Sequence, residues 1–557
     1  MPDTNADLFD GSPRFSDARL AAIASSGDVK GAWHEALKID TALALQGVSG
    51  DFAISVREKN GRVLMAVDRF AIRTLCYRVV GDQIRFAARA DELADANPEI
   101  DLQAIYDYLY FHVIPAPRTI YKGIHRLLPG HYAVFENGKL TVSRYWAPVF
   151  REPGNASFDS LKGEFLQLLQ DSVARQLDGG KPACFLSGGT DSSTISGMTA
   201  LVSGRTTATY SIGFDAQGYD EMEFARIAAR HFKTEHHEYY VTPADLVRSI
   251  PTVASYYDQP FGNSSALPAY YCAKMAREDG VTQILAGDGG DELFGGNTRY
   301  AKQRVFGFYD SLPNGLRRGL VEPIASLSIL KHIPLVRKAA SYVNQAKVPM
   351  PDRMMTYNLL ERLGVDDVLT PNFVAQVDRR APAQQQRDQW HQSGKSTLVN
   401  RMLAFDWRYT LAECDLPKVV GTTSLAGLNV GFPMLDDALL AFSQRLPTEY
   451  KLKGFQLRWF FKEALRDFLP DEIIAKKKQG FGLPFGVWAN STPELKAMAT
   501  ESLQSLARRG VVRVSFVESL LAQRLPEHPG YYGEMVWILL MLEQWLAAKA
   551  PQFRIAG

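Results

Sequence analysis

The segment Phe185-Leu-Ser-Gly-Gly-Thr-Asp-Ser-Ser193 constrains the chain most, because an apolar run ends in two glycines and reopens with serines where a helix would begin. Strand, glycine turn and helix in that order make a phosphate cradle. Small residues let the backbone approach an oxyanion, and the unpaired N–H groups of the first helical turn point at it. Asp191 stands where it can hold the magnesium that accompanies a nucleotide. No lysine follows the second glycine, so the Walker pattern is not met and a kinase-like P-loop is disfavoured.

A second turn of the same make follows about a hundred residues on, Ile284-Leu-Ala-Gly-Asp-Gly-Gly-Asp-Glu-Leu-Phe-Gly-Gly296, and between the two lies Tyr210-Ser-Ile-Gly-Phe214. Short apolar strands over 183–186, 207–212, 237–241 and 281–286, separated by helical stretches, predict a parallel sheet covered on both faces, with ligand loops at the strands' carboxyl ends. Residues 48–146 instead alternate apolar and polar positions. They carry two-residue turn chemistry at Asn60-Gly61, Gly81-Asp82 and Asn137-Gly138, which predicts antiparallel hairpins. The fold class expected is therefore α/β, with a sheet-rich antiparallel unit over residues 1–150 and a doubly wound parallel unit over 151–557. From about residue 300 onward the apolar spacing is mostly helical.

Composition narrows the partners. A formal charge of +1 over 557 residues supplies no field for gripping a phosphate backbone, so nucleic acid is not expected. Cys76, Cys184, Cys272 and Cys414 form no CxxC arrangement, which argues against a zinc site or disulfide framework and fits a reducing compartment. The polar, acidic start Met1-Pro-Asp-Thr lacks the regions of a signal peptide. The apolar stretch Met535–Leu542 falls far short of the roughly twenty residues a bilayer needs, so it reads as a buried helix and no membrane is expected. A cytoplasmic protein is the expectation. The sequence does not fix the oligomeric state, and a homodimer is one arrangement it allows.

The two loops, in this order and with Tyr210–Phe214 between them, resemble the synthetase domain of the asparagine synthetase family, whose first loop reads Ser-Gly-Gly-x-Asp-Ser. The resemblance extends through Tyr257-Asp-Gln-Pro-Phe261, Phe432-Pro-Met-Leu-Asp436 and Lys476-Lys-Lys-Gln-Gly-Phe-Gly-Leu-Pro-Phe485. Gly50-Asp-Phe-Ala-Ile54, Val67-Asp-Arg-Phe70 and Leu128-Pro-Gly130 are similar to later strands of the family's N-terminal glutaminase domain. It implies an Ntn-hydrolase-like N-terminal domain, an adenine-nucleotide α-hydrolase-like synthetase domain, and ATP with Mg2+.

The implied chemistry is adenylation of a carboxylate, with expulsion of pyrophosphate, followed by attack of an amine. Ser187, Gly188, Gly189 and Ser192 would bind the pyrophosphate, while Asp191 and Asp291 would share magnesium. Each preorganised donor aimed at developing charge is worth about 3–4 kcal/mol of barrier. Lys478 takes the place of the family's lysine beside the acyl centre, although three consecutive lysines on a loop also read as solvated charge. Asp288 is suited to steering or deprotonating the amine, with Glu413 and Asp415 as possible partners whose alternative is a cap or salt bridge. Adenine would meet main-chain groups at Leu186, Ile212 and Gly213, with Gly287 in the second loop. His236-His237-Glu238 is read as structural, since strand neighbours point to opposite faces. Asp220 and Glu221 are expected to begin a helix.

Two departures bear on function. Glutamine-using members begin with a nucleophilic cysteine after the initiator methionine, whereas position two here is Pro2, and Leu8-Phe-Asp-Gly11 is similar to a strand that normally comes some seventy residues in. Either the reading is truncated or the domain has lost hydrolysis; as written, the chain is not expected to make ammonia from glutamine. On the acceptor side, relatives' Lys-Val-Asp-Arg becomes Lys418-Val-Val-Gly421, and Asn429-Val-Gly431 replaces another charged stretch, which weakens the expectation of aspartate as substrate if Val420, Gly421, Asn429 and Gly431 line the pocket. The functions left open are an amide-forming ligase taking a small-molecule or peptide carboxylate and an amine donor, an intramolecular cyclase of the β-lactam synthetase or lasso-peptide cyclase kind, an ordinary glutamine-dependent synthetase with a misread start, and a nucleotide-binding protein without turnover.

Overall fold

The computed structural model describes residues 6–38, 40–152, 157–311, 315, 342–394, 396–477 and 482–555. Eight strands carry the alternation of the N-terminal part: β1 (Leu8–Gly11), β2 (Phe52–Arg57), β3 (Val63–Val67), β4 (Cys76–Val80), β5 (Gln83–Ala87), β6 (Ile124–Arg126), β7 (His131–Glu136) and β8 (Lys139–Arg144). They form a five-stranded sheet in the order β1-β2-β3-β7-β8 and a three-stranded sheet in the order β5-β4-β6, every pair antiparallel. The central strand β3 shows why the sheets stack. Val63, Met65 and Val67 share a core with Tyr77 and Phe86 of the smaller sheet, while the alternate residues Leu64 and Ala66 join Leu20 and Trp33 from the helices on the other side.

The hairpins follow the turn residues, with one difference. Asn137 and Gly138 both take positive φ between paired Glu136 and Lys139, and Gly81 does so between Val80 and Gln83. Asn60-Gly61 sits instead in a longer connection between paired Arg57 and Val63, closed by a 2.8 Å bond from the Glu58 N–H to the Arg62 carbonyl.

The second half is built on β9 (Ala183–Phe185), β10 (Ala208–Phe214), β11 (Glu235–Val241), β12 (Gln283–Leu285) and β13 (Asn429–Gly431), all parallel, in the order β11-β10-β9-β12-β13. β13 lies in the stretch that the apolar spacing assigned to helices. The strand order reverses between β9 and β12, and that switch point is where a doubly wound sheet opens a crevice beyond its carboxyl ends. The two glycine loops leave the sheet from these two neighbouring strands.

The halves share a core. Ile105 and Leu109 of the helix Leu102–Phe111 pack in one cluster with Trp537, Ile538 and Leu542 of the long helix Pro529–Lys549, and the Tyr108 hydroxyl donates to the Ile538 carbonyl at 2.9 Å. That helix is buried through Met535–Leu542 as expected, and its Glu543 accepts from the equally buried Arg509 at 2.6 Å. Among the described residues no helix is long and apolar enough to cross a membrane.

Candidate active site

The two glycine loops touch. A Cβ on Gly287 would lie 2.7 Å from the Ser192 nitrogen and 2.8 Å from the Asp191 carbonyl carbon, so only glycine lets the second loop lie against the start of the first helix, Thr190–Ser203. Gly290 is held under Asp191 in the same way, its Cβ position being 2.2 Å from Asp191 Oδ1. Gly188 takes φ +65° against the backbone of Ala225. Gly189 is the helix N-cap and offers no side-chain cap, which leaves the first-turn N–H groups available to an anion. The Ser187 and Ser192 hydroxyls lie 3.0 Å apart beside them.

The carboxylates of the two loops share a cation. The Arg458 guanidinium donates to Asp191 at 2.8 Å and to Asp291 at 2.7 Å, with a further bond to Asp191. A magnesium ion fits this donor set. Two hard carboxylates already converge on a shared positive group, and Mg2+ binds through one or two carboxylates while keeping water and phosphate oxygens. Lys476 adds another cation beside the first loop. It donates to the Gly188 carbonyl at 3.2 Å and pairs with Glu221 at 3.1 Å, fixing the loop against the helix Met222–Phe232, for which Glu221 is the N-cap. Lys478, expected beside the acyl centre, lies outside the described residues.

The two loops border a cleft of about 420 Å3 at the switch point. Leu186, Ser187, Asp191, Ser192, Ile212, Gly287, Asp288 and Asp291 all line it. Asp288 shares Lys418 with Asp415, at 3.4 and 3.2 Å. Burial pushes the Asp288 carboxyl up, against the pull of Lys418. Burial also works against the Lys418 ammonium, but Asp415 and Asp288 outweigh it and hold that ammonium far above the usual lysine range.

Other expected residues fall elsewhere. Gly213 is absent from the cleft lining and gives room to the Tyr240 ring on the paired strand, 2.6 Å from its Cβ position. The Leu186 main chain is engaged on both sides, its N–H with the Tyr210 carbonyl and its carbonyl with the Ser211 hydroxyl. Glu413 does not reach the cleft lining: it is buried between Arg126 and Arg408 and accepts the Ala116 N–H at 3.0 Å. Burial pushes its carboxyl up, but the two guanidiniums prevail and hold it below the usual glutamate range. That placement makes Glu413 an interdomain clamp. Val420, Gly421, Asn429 and Gly431 do not line the cleft either; Gly421 makes room for the Tyr257 ring, and Asn429 starts its strand at the end away from the loops. His237 pairs with Glu235 and Asp279, as a structural histidine does.

Sequence reasoning assigned no role to Arg458, Lys418 or Lys476. Arg458 is 167 and 267 positions from the aspartates it joins, with no local pattern to reveal it. Lys418 left a faint signal, being the charge kept where its neighbours Val420 and Gly421 are apolar.

Comparison with known proteins bears on this geometry. Residues 164–547 match the asparagine synthase family and residues 35–146 a glutamine amidotransferase domain. Asparagine synthetase [glutamine-hydrolyzing] 1 of Bacillus subtilis is 26% identical over 507 residues, 90% of this chain and 78% of that one. The same organism's asparagine synthetase [glutamine-hydrolyzing] 3 is 25% identical over 464 residues, 78% and 67% of the two chains. Amidase chyE of Penicillium rubens is 22% identical over 528 residues, 82% and 73%. With its paired glycine loops at the switch point of a parallel sheet, the chain belongs to the asparagine synthase family of ATP-dependent carbon–nitrogen ligases.

Proposed function

We propose that the protein adenylates a carboxylate with ATP and Mg2+ and passes the acyl group to an amine supplied by ammonia or by the acceptor molecule, with no glutaminase of its own in the chain as written. The observation that carries this reading is the contact between the loops, which sets Ser187, Ser192, Asp191 and Asp291 around one space. Magnesium held by Asp191 and Asp291 would neutralise charge on the departing pyrophosphate. Ser187, Ser192 and the first-turn N–H groups bind its oxygens, and Lys476 keeps the loop in place. The substrate carboxylate oxygen attacks the α-phosphorus and pyrophosphate leaves; the amine nitrogen then attacks the acyl carbon, and AMP leaves. Asp288, whose carboxyl is raised by burial, takes the proton that the amine loses, and the Asp288–Lys418–Asp415 group with net charge −1 favours a cationic acceptor. Lys478 supports the acyl centre in this reading.

Glutamine hydrolysis by this family's route needs a reactive thiolate, yet Cys76, Cys184 and Cys272 are buried and Cys414 is half-buried. Burial pushes all four thiols up, to about 12 for Cys184 and Cys414 and higher for the others. In this reading the two units meet near residue 150, the substrate is a small-molecule or peptide carboxylate, and the protein works in the cytoplasm.

A pyrophosphate-release screen over amino acids, uronic acids and peptides, with and without ammonium, tests the reading. One acid should release pyrophosphate with formation of an amide, while glutamine alone releases no glutamate. Glutamate release by the protein starting at Met1, or no pyrophosphate release with any acid, would contradict it.

A further inference from the structure

Arg458 joins the two aspartates that would hold the metal. Its side chain is 7% exposed, bonds to both Asp191 and Asp291, and lies with its guanidinium 4.3 Å from the centre of the Phe461 ring. Its Nε is buried and has no hydrogen-bond partner among the described residues, so the aspartates satisfy only part of the guanidinium. A second cavity of about 730 Å3 borders the same group; Arg458 and Asp291 line it together with Thr190, Lys462 and Lys476. The Arg458 backbone is fixed in the left-handed region at φ 57°, with its N–H on the Lys451 carbonyl at 2.8 Å and its carbonyl on the Lys462 N–H at 3.0 Å. Any movement therefore belongs to the side chain, and the cavity gives it room.

We propose that Arg458 is a counter-ion gate, occupying the cation position between Asp191 and Asp291 until the triphosphate of an incoming nucleotide draws its guanidinium away, so that the divalent ion enters with the nucleotide and not before it. This inference rests on the nucleotide reading given above. A buried guanidinium does not leave two carboxylates for nothing, because uncompensated buried charge is strongly unfavourable. A free metal ion offers it no new partner; it would only add positive charge. A phosphate chain bound beside Asp191 and Asp291 would offer its oxygens to the same fork, which matches phosphate in two places at once. The nucleotide then releases the aspartates to the metal and gains the arginine. Metal and nucleotide are thereby coupled through one side chain, each favouring the other.

The test is Mn2+ binding, followed by electron paramagnetic resonance on the whole protein with and without α,β-methylene-ATP, which lacks the bond that adenylation breaks. The wild-type protein should hold Mn2+ tightly only with the analogue. Arg458→Met should bind Mn2+ without it, about 10-fold or more tighter than wild type, and lose that site when Asp291→Asn is added. Wild-type protein that binds nucleotide-free Mn2+ as tightly as Arg458→Met, at a site lost on Asp291→Asn, would overturn the gate. Should Arg458→Met fail to fold, the wild-type comparison and Arg458→Lys, which keeps the charge but loses the fork, decide the question: Arg458→Lys should fall between the two. Wild type that binds no analogue would overturn the nucleotide reading, and the nucleotide-free arms would then decide only whether Arg458 keeps Mn2+ off the two aspartates.

Discussion

A single methyl group at position 287 has nowhere to go, because its nearest neighbours are backbone atoms of Asp191 and Ser192 rather than movable side-chain ends. Gly287→Ala should therefore force the loops apart at a cost of about 1–3 kcal/mol, read as ATP binding roughly 10- to 100-fold weaker in a protein whose melting temperature barely changes. Unaltered nucleotide affinity would mean that the contact does not shape the site. Glu413→Gln makes the opposite prediction. It leaves Arg126 and Arg408 buried without their shared anion, so denaturant unfolding should show a loss of about 3–5 kcal/mol, with turnover of the folded protein largely kept. Small destabilisation with lost turnover would return Glu413 to the chemistry. The placement of Ser187 and Asp191 at a turn from strand into helix was legible in the sequence. Glu413 was not, since a carboxylate before a helix looks the same whether it faces substrate or two arginines from distant segments.

At the scale of elements, the segment that carries Lys476 is tied to the phosphate loop by a bond to the Gly188 carbonyl and a pair with Glu221. Lys476→Met should weaken ATP binding about 10-fold or more through the lost charged hydrogen bond, whereas Lys478→Met should leave ATP binding intact and remove product formation. Equal effects of the two substitutions on nucleotide affinity would dissolve that division of labour. The helix Thr448–Lys451 ends in a lysine that is fully buried, donates to Asn400 at 2.8 Å and has its ammonium pushed down to about 7 by burial. Between that value and the ordinary 10.5 the unfolded chain binds more protons than the folded one, so this group's penalty is full below pH about 7 and fades as pH rises toward 10.5. Thermal unfolding of wild type against Lys451→Met should show wild type gaining ground over that window; parallel profiles would contradict it. Strands next to glycine punctuation were readable in advance, as at Ala183–Phe185 and Gln283–Leu285. Asn429–Gly431 was not, because three residues between helices carry too little period to register, and only the parallel neighbour Gln283–Leu285 makes them a strand.

In the whole molecule the motifs outside the loops hold the two units together. Asp436, from Phe432-Pro-Met-Leu-Asp436, pairs with Arg14 and Arg175, and Asp258, from Tyr257-Asp-Gln-Pro-Phe261, accepts the Ala90 N–H at 2.9 Å. The sequence showed these motifs but not their partners, which lie hundreds of positions away, so the layered plan was legible while the interface that joins its halves was not. What the assembly achieves is a single space into which both glycine loops deliver a carboxylate, and the most direct test asks whether those carboxylates serve one metal ion. Carboxylate-dependent ATP–pyrophosphate exchange should be compared in wild type, Asp191→Asn, Asp291→Asn and the double variant, each shown to be folded. If one ion links the loops, each single substitution removes about as much exchange as both together. If the two losses multiply independently, or if either folded variant exchanges as wild type does, the aspartates do not share a metal and the account fails at its centre.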